Sequence, residues 1–399
     1  MRVTMAATLP NPVVRGESGR KPPIERLPRL MSLDVFRGAT MAAMILVNNP
    51  GDGPAAYGVL QHSEWNGCTP TDLIFPFFLF IVGVATALSL RSRMERGGSR
   101  RTLLAHVVWR SLILFALGVF LNGFPNHYHL TTLRIFGVLQ RIALCYLVTA
   151  ALALWTGWRQ QLAAAVACLV GYWIAMRYLP VPGFGVPTHG IPLLDPDRNL
   201  AAWLDRKLLS GHLYEITRDP EGLLSTIPAV ATCLIGLLTG NWLRSGRTAR
   251  AKAVGMAAAG VLCVAAGEIF NLWFPINKKL WTSSYVLFSA GLALLCLALC
   301  AWVLDIRQLR ARWTQAFLVF GKNAIAAYVL SEMVASWMDT MQVRIADDGF
   351  MTWHEVLHEY LFAPLGSPAN ASLLYSLAYV AACWVVMWTL YRKGIFLKV

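Results

Sequence analysis

The sequence predicts an all-α fold, a polytopic integral membrane bundle of about ten transmembrane helices. Three observations predict this fold. The 399 residues are 56% hydrophobic and 14% charged, far more apolar than a soluble domain of this length needs. Apolar stretches of about 20 residues, the length that crosses a bilayer, recur along the chain. Basic residues gather in alternate connections between these stretches.

The apolar stretches give the predicted helices in chain order. They cover residues 34–50, 70–90, 103–121, 136–156, 161–179, 224–243, 253–273, 282–304, 316–337 and 371–391. Because their number is even, both ends of the chain are expected on the same side of the membrane. The long connection at 180–223 divides them five and five, an arrangement that also occurs in transporters built from inverted repeats.

Charge sorts the connections by compartment. Most of the 35 Lys and Arg residues lie in the two tails and in the connections 91–102, 157–160, 244–252 and 305–315. Because cytoplasmic connections are rich in Lys and Arg, both termini are predicted to be cytoplasmic, an N-in/C-in topology. The net charge of +14 then reflects topology and contact with membrane lipids, and no nucleic-acid partner is predicted.

The chain divides into a tail and one membrane domain. Residues 1–30 combine Pro, Gly, Arg and Lys without an apolar core, which predicts a disordered basic cytoplasmic tail and no cleaved signal. Residues 31–399 form the predicted transmembrane domain. Its outer loops are expected at 51–68, 180–223 and 338–370, and long loops in compact domains are often functional.

No metal centre is predicted. His354 and His358 are spaced i, i+4, but the sequence offers no apparent third ligand near them. The eight cysteines include no pair with CxxC spacing, so they are interpreted as small packing residues and not as disulfides or zinc ligands.

Ionisable side chains inside the apolar stretches mark a pathway, a site or a structural pair. They are Asp34, Arg37, Asp72, Arg110, Arg141, Arg177, Glu268, Lys322 and Glu332. Asp34 and Arg37 can satisfy each other as i, i+3 neighbours. Arg110 and Arg141 have no adjacent acid in the sequence, so each either neutralises a bound anion or pairs with an acidic residue of another helix.

The densest polar cluster runs from the end of the first predicted span to the start of the second. It comprises Asn48, Asn49, His62, Glu64, Trp65, Asn66, Thr69, Thr71 and Asp72. An imidazole can take a proton from an amine near neutral pH or carry an acyl group, and a carboxylate can orient it. An asparagine amide can donate to a carbonyl oxygen as charge develops. The alternative is an ordinary surface histidine in an outer loop.

The chain contains a series of longer motifs. They are Ser-Leu-Asp-Val-Phe-Arg-Gly (32–38), Leu-Val-Asn-Asn-Pro-Gly (46–51), Gln-His-Ser-Glu-Trp-Asn-Gly (61–67), Thr-Asp-Leu-Ile-Phe-Pro-Phe-Phe-Leu-Phe (71–80), Trp-Arg-Ser (109–111), Gly-Val-Leu-Gln-Arg (137–141), Asp-Pro-Glu-Gly-Leu-Leu (219–224), Pro-Ile-Asn-Lys-Lys-Leu-Trp-Thr-Ser-Ser-Tyr (275–285), Gly-Lys-Asn-Ala (321–324) and Tyr-Arg-Lys-Gly-Ile-Phe (391–396). The series resembles the family of the lysosomal heparan-α-glucosaminide N-acetyltransferase and its bacterial relatives. The resemblance covers nearly the whole chain from about residue 30.

This resemblance implies an acetyltransferase of a bacterial inner membrane. Such an enzyme moves an acetyl group from cytoplasmic acetyl-CoA to the amino group of a glucosamine-type sugar on the periplasmic side. His62 matches the family's histidine of the first outer loop, and Asn48 matches the asparagine that ends the first core span. With Asp72 they form the predicted catalytic set. Acetyl-CoA is the one expected co-substrate, and a homodimer is suggested by the family.

The remaining predicted site residues are assigned to two ligands. Arg37, Arg110, Arg141, Lys278 and Lys322 are expected to hold the phosphates of acetyl-CoA or to line the path of its pantetheine arm. Those expected to bind the acceptor sugar are Asn49, Glu64, Trp65 and Asn66.

Alternatives stay open at this point. His62 either deprotonates the sugar amine or carries the acetyl group transiently. A transporter of N-acetylglucosamine or related amino sugars is the main alternative function, and acyl transfer to another periplasmic glycan is a third.

Overall fold

The computed structural model describes residues 30–309, 312–345 and 349–397, and most of these residues are α-helical. The helices are α1 Met31–Asn48, α2 Ile74–Glu95, α3 Arg100–Gly123, α4 Val138–Trp155, α5 Trp158–Tyr178, α6 Leu200–Leu209, α7 Thr226–Leu243, α8 Ala249–Asn271, α9 Ser283–Cys300, α10 Arg312–Lys322, α11 Ala324–Thr340, α12 Trp353–Leu357 and α13 Pro368–Arg392. Within the described residues the strands form two short pairs, β1 (Val186–Pro187) parallel to β2 (Gly190–Ile191) between α5 and α6, and β3 (Gln342–Ile345) antiparallel to β4 (Gly349–Thr352) between α11 and α12. The predicted all-α class is confirmed.

Local sequence explains where several helices begin. Ser99 precedes α3, and its hydroxyl accepts the backbone N–H of Thr102. In the same way, the Thr248 hydroxyl accepts the N–H of Ala251 at the start of α8, and the Ser367 hydroxyl accepts the N–H of Asn370 at the start of α13. These side chains satisfy backbone donors that the first helical turn leaves without a partner.

Most predicted spans are present as membrane-length helices. Within the described residues, eight units are long and apolar enough to cross a membrane: Pro70–Glu95, Arg100–Gly123, Val138–Trp155, Trp158–Tyr178, Thr226–Leu243, Ala249–Asn271, Ser283–Ile306 and Pro368–Arg392. Each coincides with a predicted stretch. The polytopic membrane architecture is therefore confirmed.

Two of the predicted spans differ from the expectation. The stretch predicted as one span at 316–337 consists of α10 and α11, which are bent by 77° at Asn323, and this pair raises the number of spans to nine if it counts as one. The Asn323 side chain binds the C-terminal segment, where it donates to the carbonyl of Ile395 at 3.1 Å and accepts the N–H of Leu397 at 3.0 Å.

The second difference is α1. This helix has 18 residues but carries Asp34 and Arg37 in its first two turns, and it is not among the membrane-length units found in the described chain. The described residues therefore give eight membrane-length helices, or nine with the bent pair, against about ten predicted. The predicted tail at 1–30 lies outside the described residues except for Leu30, and the N-in/C-in orientation stays a prediction.

Helices α2 and α7 form the centre of the bundle. The most apolar parts of α2 and α7 are 67% and 61% buried inside the protein, whereas that of α8 is 22% buried. The two backbones approach closely at glycines: a Cβ on Gly83 would lie 2.0 Å from the Cys233 carbonyl oxygen, and one on Gly236 would lie 2.1 Å from that of Phe80. Small residues permit this approach between membrane helices.

We expect Gly83→Ala to destabilise the bundle, because the added methyl group meets backbone and not a flexible side chain. Overpacking of this kind costs about 1–3 kcal/mol. The check is the melting temperature of the detergent-purified protein, followed by size-exclusion chromatography after heating. Gly171→Ala in α5 is the matched control, since a Cβ there meets nothing within 4 Å. Equal melting temperatures for the two variants would contradict the close α2–α7 contact.

Candidate active site

The predicted catalytic cluster is organised by the turn that begins the α2 unit. Residues Pro70–Leu73 form a 3-10 turn before α2, and Thr69 caps it. In this capping box the Asp72 carboxylate accepts the Thr69 N–H at 2.9 Å, while proline occupies the first turn, where no donor is needed. The sequence Thr-Pro-Thr-Asp thereby fixes the Asp72 carboxylate at the N-terminal end of α2.

His62 and Asp72 are in direct contact. The Nδ1 atom of His62 lies 2.7 Å from Oδ1 of Asp72, and the second carboxylate oxygen accepts the Ser63 N–H at 3.1 Å and the Thr69 hydroxyl at 3.1 Å. The Asp72 side chain is 0% exposed, whereas that of His62 is 47% exposed. Because the carboxylate accepts the proton of Nδ1, the lone pair of Nε2 is available to take a proton or to attack a carbonyl.

Lys278 lies against the imidazole of His62. Its Nζ is 3.0 Å from Nδ1 and 3.2 Å from Nε2, and it is 3.7 Å from Oδ1 of Asp72. The nearly equal distances place the ammonium beside the ring, not in line with one lone pair. Burial lowers the pKa of Lys278 below the usual lysine value, although Asp72 and Glu221 act in the opposite direction.

Backbone pairing holds Lys278 in this position. The Gly67 N–H donates to the carbonyl of Ile276 at 2.8 Å, and Gly67 forms a parallel bridge with Asn277. The Asn277 amide donates to the side chain of Asn66 at 3.2 Å. The loop that carries His62 and the α8–α9 connection that carries Lys278 are therefore joined next to the two side chains.

Burial disfavours the thiolate form of the nearby Cys68. Burial, reinforced by the charge of Asp72, raises the pKa of Cys68 to about 12. Since the thiolate is the reactive form of cysteine, this thiol stays protonated and unreactive near neutral pH.

Of the predicted acceptor residues, Trp65 contacts the loop at 180–223. The Trp65 indole N–H donates to the carbonyl of Leu194 at 2.8 Å, and cationic groups of Arg218 and Lys279 lie 5.1 and 6.0 Å from its ring. Asn66 pairs with the α8–α9 connection as described, and Glu64 is exposed. The long loop thus covers the tryptophan beside His62.

The two asparagines at the end of α1 face α11 instead. Asn48 donates to Oε1 of Glu332 at 3.3 Å, and Asn49 donates to the carbonyl of Ile45 at 2.7 Å and to the hydroxyl of Ser331 at 3.2 Å. In the described part of the chain neither shares a hydrogen bond with His62. The catalytic role of Asn48 and the acceptor role of Asn49 stay predictions.

Two of the predicted cofactor residues meet near the bend between α10 and α11. Arg37 donates to Asp34 and to the carbonyl of Gly321, both at 3.1 Å, so the i, i+3 pair expected from the sequence is present. The Lys322 ammonium lies 3.4 Å from the hydroxyl of Tyr391 and 4.7 Å from the centre of its ring.

The arginines of α3 and α4 lie against aromatic rings. The guanidinium of Arg110 is 5.3 Å from the ring of Tyr146, and that of Arg141 is 5.1 Å from the ring of Trp281. Arg141 is fully buried and donates to the carbonyl of Gly222 at 3.2 Å and to the Ser225 hydroxyl. Neither forms an ion pair within the described residues, so the expected alternative of an interhelical pair is not seen.

Sequence reasoning missed a second ionic cluster. Arg134 donates to both carboxylate oxygens of Asp219, at 2.7 and 2.9 Å, and to Glu221 at 2.7 Å. These acids raise the pKa of Arg134 despite its burial. The motif at 219–224 was the available signal, but nothing in the sequence identified its partner 85 residues away.

Comparison with known proteins places the chain in a family. The family model described as "Heparan-alpha-glucosaminide N-acetyltransferase, catalytic" matches residues 29–273, a range that includes Asn48, His62 and Asp72. The chain belongs to the heparan-α-glucosaminide N-acetyltransferase family. The resemblance found in the ordered motifs is confirmed.

Two mammalian relatives extend the similarity beyond the matched range. The chain is 31% identical over 432 residues to the heparan-alpha-glucosaminide N-acetyltransferases of Homo sapiens and Mus musculus, over 93% of its own length. It spans 60% of the length of each of these relatives. The members of this family that it resembles are therefore longer proteins.

We expect Asp72→Asn to destabilise the outer end of α2. An amide replaces one acceptor oxygen by an NH2 group, which leaves a buried donor of His62, Ser63 or Thr69 without a partner. The cost of such a group is about 1–3 kcal/mol. The melting temperature measures the loss, and limited proteolysis of loop 51–68 reports its location. Glu64→Gln, the same change on an exposed side chain, is the control, and a loss of equal size there would argue against the role of Asp72.

Proposed function

We propose that this protein is a transmembrane N-acetyltransferase that moves an acetyl group from acetyl-CoA to the amino group of a glucosamine-type sugar. The observation that carries the proposal is the 2.7 Å contact between His62 and a fully buried carboxylate, with the imidazole half-exposed at the outer end of α2. The family supports the reaction type, since its relatives are named for N-acetyl transfer to heparan glucosaminide.

The proposed reaction needs one group that moves a proton. Nε2 of His62 takes a proton from the sugar amine, the nitrogen bonds to the thioester carbonyl carbon, and the carbon–sulfur bond breaks. The proton then passes to the departing thiolate of CoA. In the second route His62 attacks first and carries the acetyl group until the amine displaces it. Acetylated His62 trapped in the absence of acceptor would select the second route, and strictly ternary-complex kinetics would select the first.

The donor is proposed to enter at the opposite end of α2 and α7. A cavity of about 380 Å³ lies there, and its lining includes Arg91, Trp158, Asn241 and Arg244. Arg244 binds Glu95 through Nη2, at 2.6 and 2.8 Å, while its buried Nη1 has no hydrogen-bond partner among the described residues. A guanidinium with a free donor suits a phosphate, and an indole suits stacking with a nucleobase.

The separation of the two ends suits this path. From Asp72 to Ala87, which lines the cavity, α2 rises about 22 Å. An extended acyl-pantetheine arm spans much of a ~30 Å hydrocarbon core. The cavity adjoins the connections that the positive-inside rule places in the cytoplasm. Both cytoplasmic termini, the bacterial inner membrane, the homodimer and the assignment of 31–399 as the acyltransferase domain belong to the same proposal.

A transporter of N-acetylglucosamine or related amino sugars is the second candidate. The break of 77° between α10 and α11 favours it, because substrate sites of transporters are often formed by interrupted helices. The Asn48–Glu332 pair lies at the outer part of the broken span and offers polar groups to a sugar. The assay below separates the two functions.

In proteoliposomes with acetyl-CoA on one face and glucosamine on the other, the wild-type protein is expected to form the N-acetylated sugar. His62→Ala is expected to lower this rate at least about 10²-fold, as the loss of a general base does. His189→Ala, at an exposed histidine of another outer loop, is the control and should keep the wild-type rate. Sugar flux without acetyl-CoA that survives His62→Ala would favour the transporter instead.

We expect Arg244→Gln to raise the KM for acetyl-CoA by about tenfold, the cost of one charge-assisted phosphate contact. The KM for glucosamine should stay the same, because that substrate binds at the other end of the bundle. Initial rates at varied acetyl-CoA and at varied glucosamine measure the two constants. Arg247→Gln, at an exposed arginine just beyond α7, is the control. If the KM for acetyl-CoA is unchanged in both Arg244→Gln and Arg91→Gln, the result would favour phosphate binding by residues predicted from the sequence, such as Arg37 and Lys322.

A further inference from the structure

Lys278 is within ion-pair distance of Asp72, but that contact alone does not account for its position. Its ammonium is closer to the two ring nitrogens of His62, at 3.0 and 3.2 Å, than to Oδ1 of Asp72 at 3.7 Å. Its side chain is 17% exposed, and that of His62 is 47% exposed. Holding a largely buried ammonium against an imidazole costs free energy. This cost is offset if the ammonium stabilises a negative charge that develops on the substrate.

The position is rigidly defined. Asn277, directly before Lys278, is fully buried, and its side-chain oxygen accepts the N–H of Leu280 at 2.9 Å. The bridge to Gly67 ties the same residue to the His62 loop. Preorganised charges of this kind stabilise a transition state without the cost of reorientation.

Geometry places Lys278 next to the reacting carbonyl of the proposed transfer. An amine that gives its proton to Nε2 of His62 lies about 3 Å from that atom, and the carbonyl carbon it attacks lies about 3 Å further on. Nζ of Lys278 is 3.2 Å from the same Nε2. The carbonyl oxygen of a thioester bound on the same side of the imidazole as Lys278 is therefore within reach of the ammonium.

We propose that Lys278 is a catalytic residue of the acetyl transfer, and that its ammonium donates to the thioester oxygen as that oxygen becomes an oxyanion. This inference rests on the proposed function. The amine nitrogen bonds to the carbonyl carbon, its proton goes to His62, and the oxyanion is held by Lys278. The intermediate then re-forms the carbonyl and expels the thiolate, which receives the proton from His62. Lys278 ends the cycle with the protons it began with.

Lys278 is not the acetyl carrier in this scheme. An acetylated lysine is an amide, which a sugar amine does not cleave under these conditions, so the group would be lost after one turnover. The residue also differs from its neighbour: Lys279 lies 3.8 Å from Glu215 and 6.0 Å from the ring of Trp65. Lys279 therefore provides a matched control at the next position.

The reaction is expected to depend on the protonation of Lys278. Four titratable groups face it, namely His62, Asp72, Glu221 and Cys68. Burial lowers the pKa of Lys278, while the acids raise it without cancelling the effect of burial. Because the protonated form is the active one, kcat falls as pH rises through this lowered pKa. An arginine does not deprotonate in this range.

The experiment uses the full chain in lipid nanodiscs with acetyl-CoA and glucosamine, and it measures the release of CoA. Lys278→Met is expected to lower kcat about 10²–10³-fold, as removal of an oxyanion donor does, with the KM for acetyl-CoA within about threefold of wild type. Lys279→Met should keep kcat within about threefold of wild type. Lys278→Arg should be more active than Lys278→Met and should lack the fall of kcat at high pH.

Three results overturn the inference while the proposed function stands. They are a kcat of Lys278→Met close to that of wild type, a change in the KM for acetyl-CoA alone, and an unaltered alkaline limb in Lys278→Arg. The second result would assign Lys278 to binding of CoA. If Lys278→Met proves unstable on heating, the pH dependence of kcat in Lys278→Arg tests the inference instead. A wild-type chain that releases no CoA in the presence of glucosamine overturns both proposals.

Discussion

The arrangement of the outer site depends on one buried charge, the carboxylate of Asp72. A fully buried carboxylate is tolerated only when donors and a cation surround it, and here His62, Ser63 and Thr69 donate while the ammonium of Lys278 lies nearby. Three of these four partners come from the α1–α2 connection. The requirement to satisfy one carboxylate therefore folds that connection back over the end of α2 and aims His62.

The central pair α2 and α7 connects this site to the other face of the bundle. Glycine contacts bring the two backbones together in the middle, and their far ends open into the cavity that contains Arg91 and Arg244. In the proposed transfer, this helix pair separates the proton-transfer site at His62 from the cavity assigned to the donor, as a reaction across a membrane requires.

The sequence predicts those features that depend on local pattern. Hydropathy over about 20 residues identified the membrane-length helices, and the His62–Asp72 pair was accessible because its members lie close in the sequence and flank a capped turn. Hydropathy does not predict the break at Asn323, because one asparagine hardly alters the mean hydropathy of its span. Lys278 was assigned to CoA from its charge alone, since its contact with His62 joins residues 216 positions apart. Such contacts arise from helix packing, which periodicity does not encode.

The protonated thiol of Cys68 has a consequence for the fidelity of the proposed reaction. A thiolate beside an acetyl thioester would exchange with it and take the acetyl group onto sulfur, which would divert the donor from the sugar. With a pKa of about 12, Cys68 exists almost wholly as the thiol near neutral pH. Burial of the thiol, reinforced by the carboxylate that orients the imidazole, therefore disfavours transfer of the acetyl group to Cys68 in the proposed reaction.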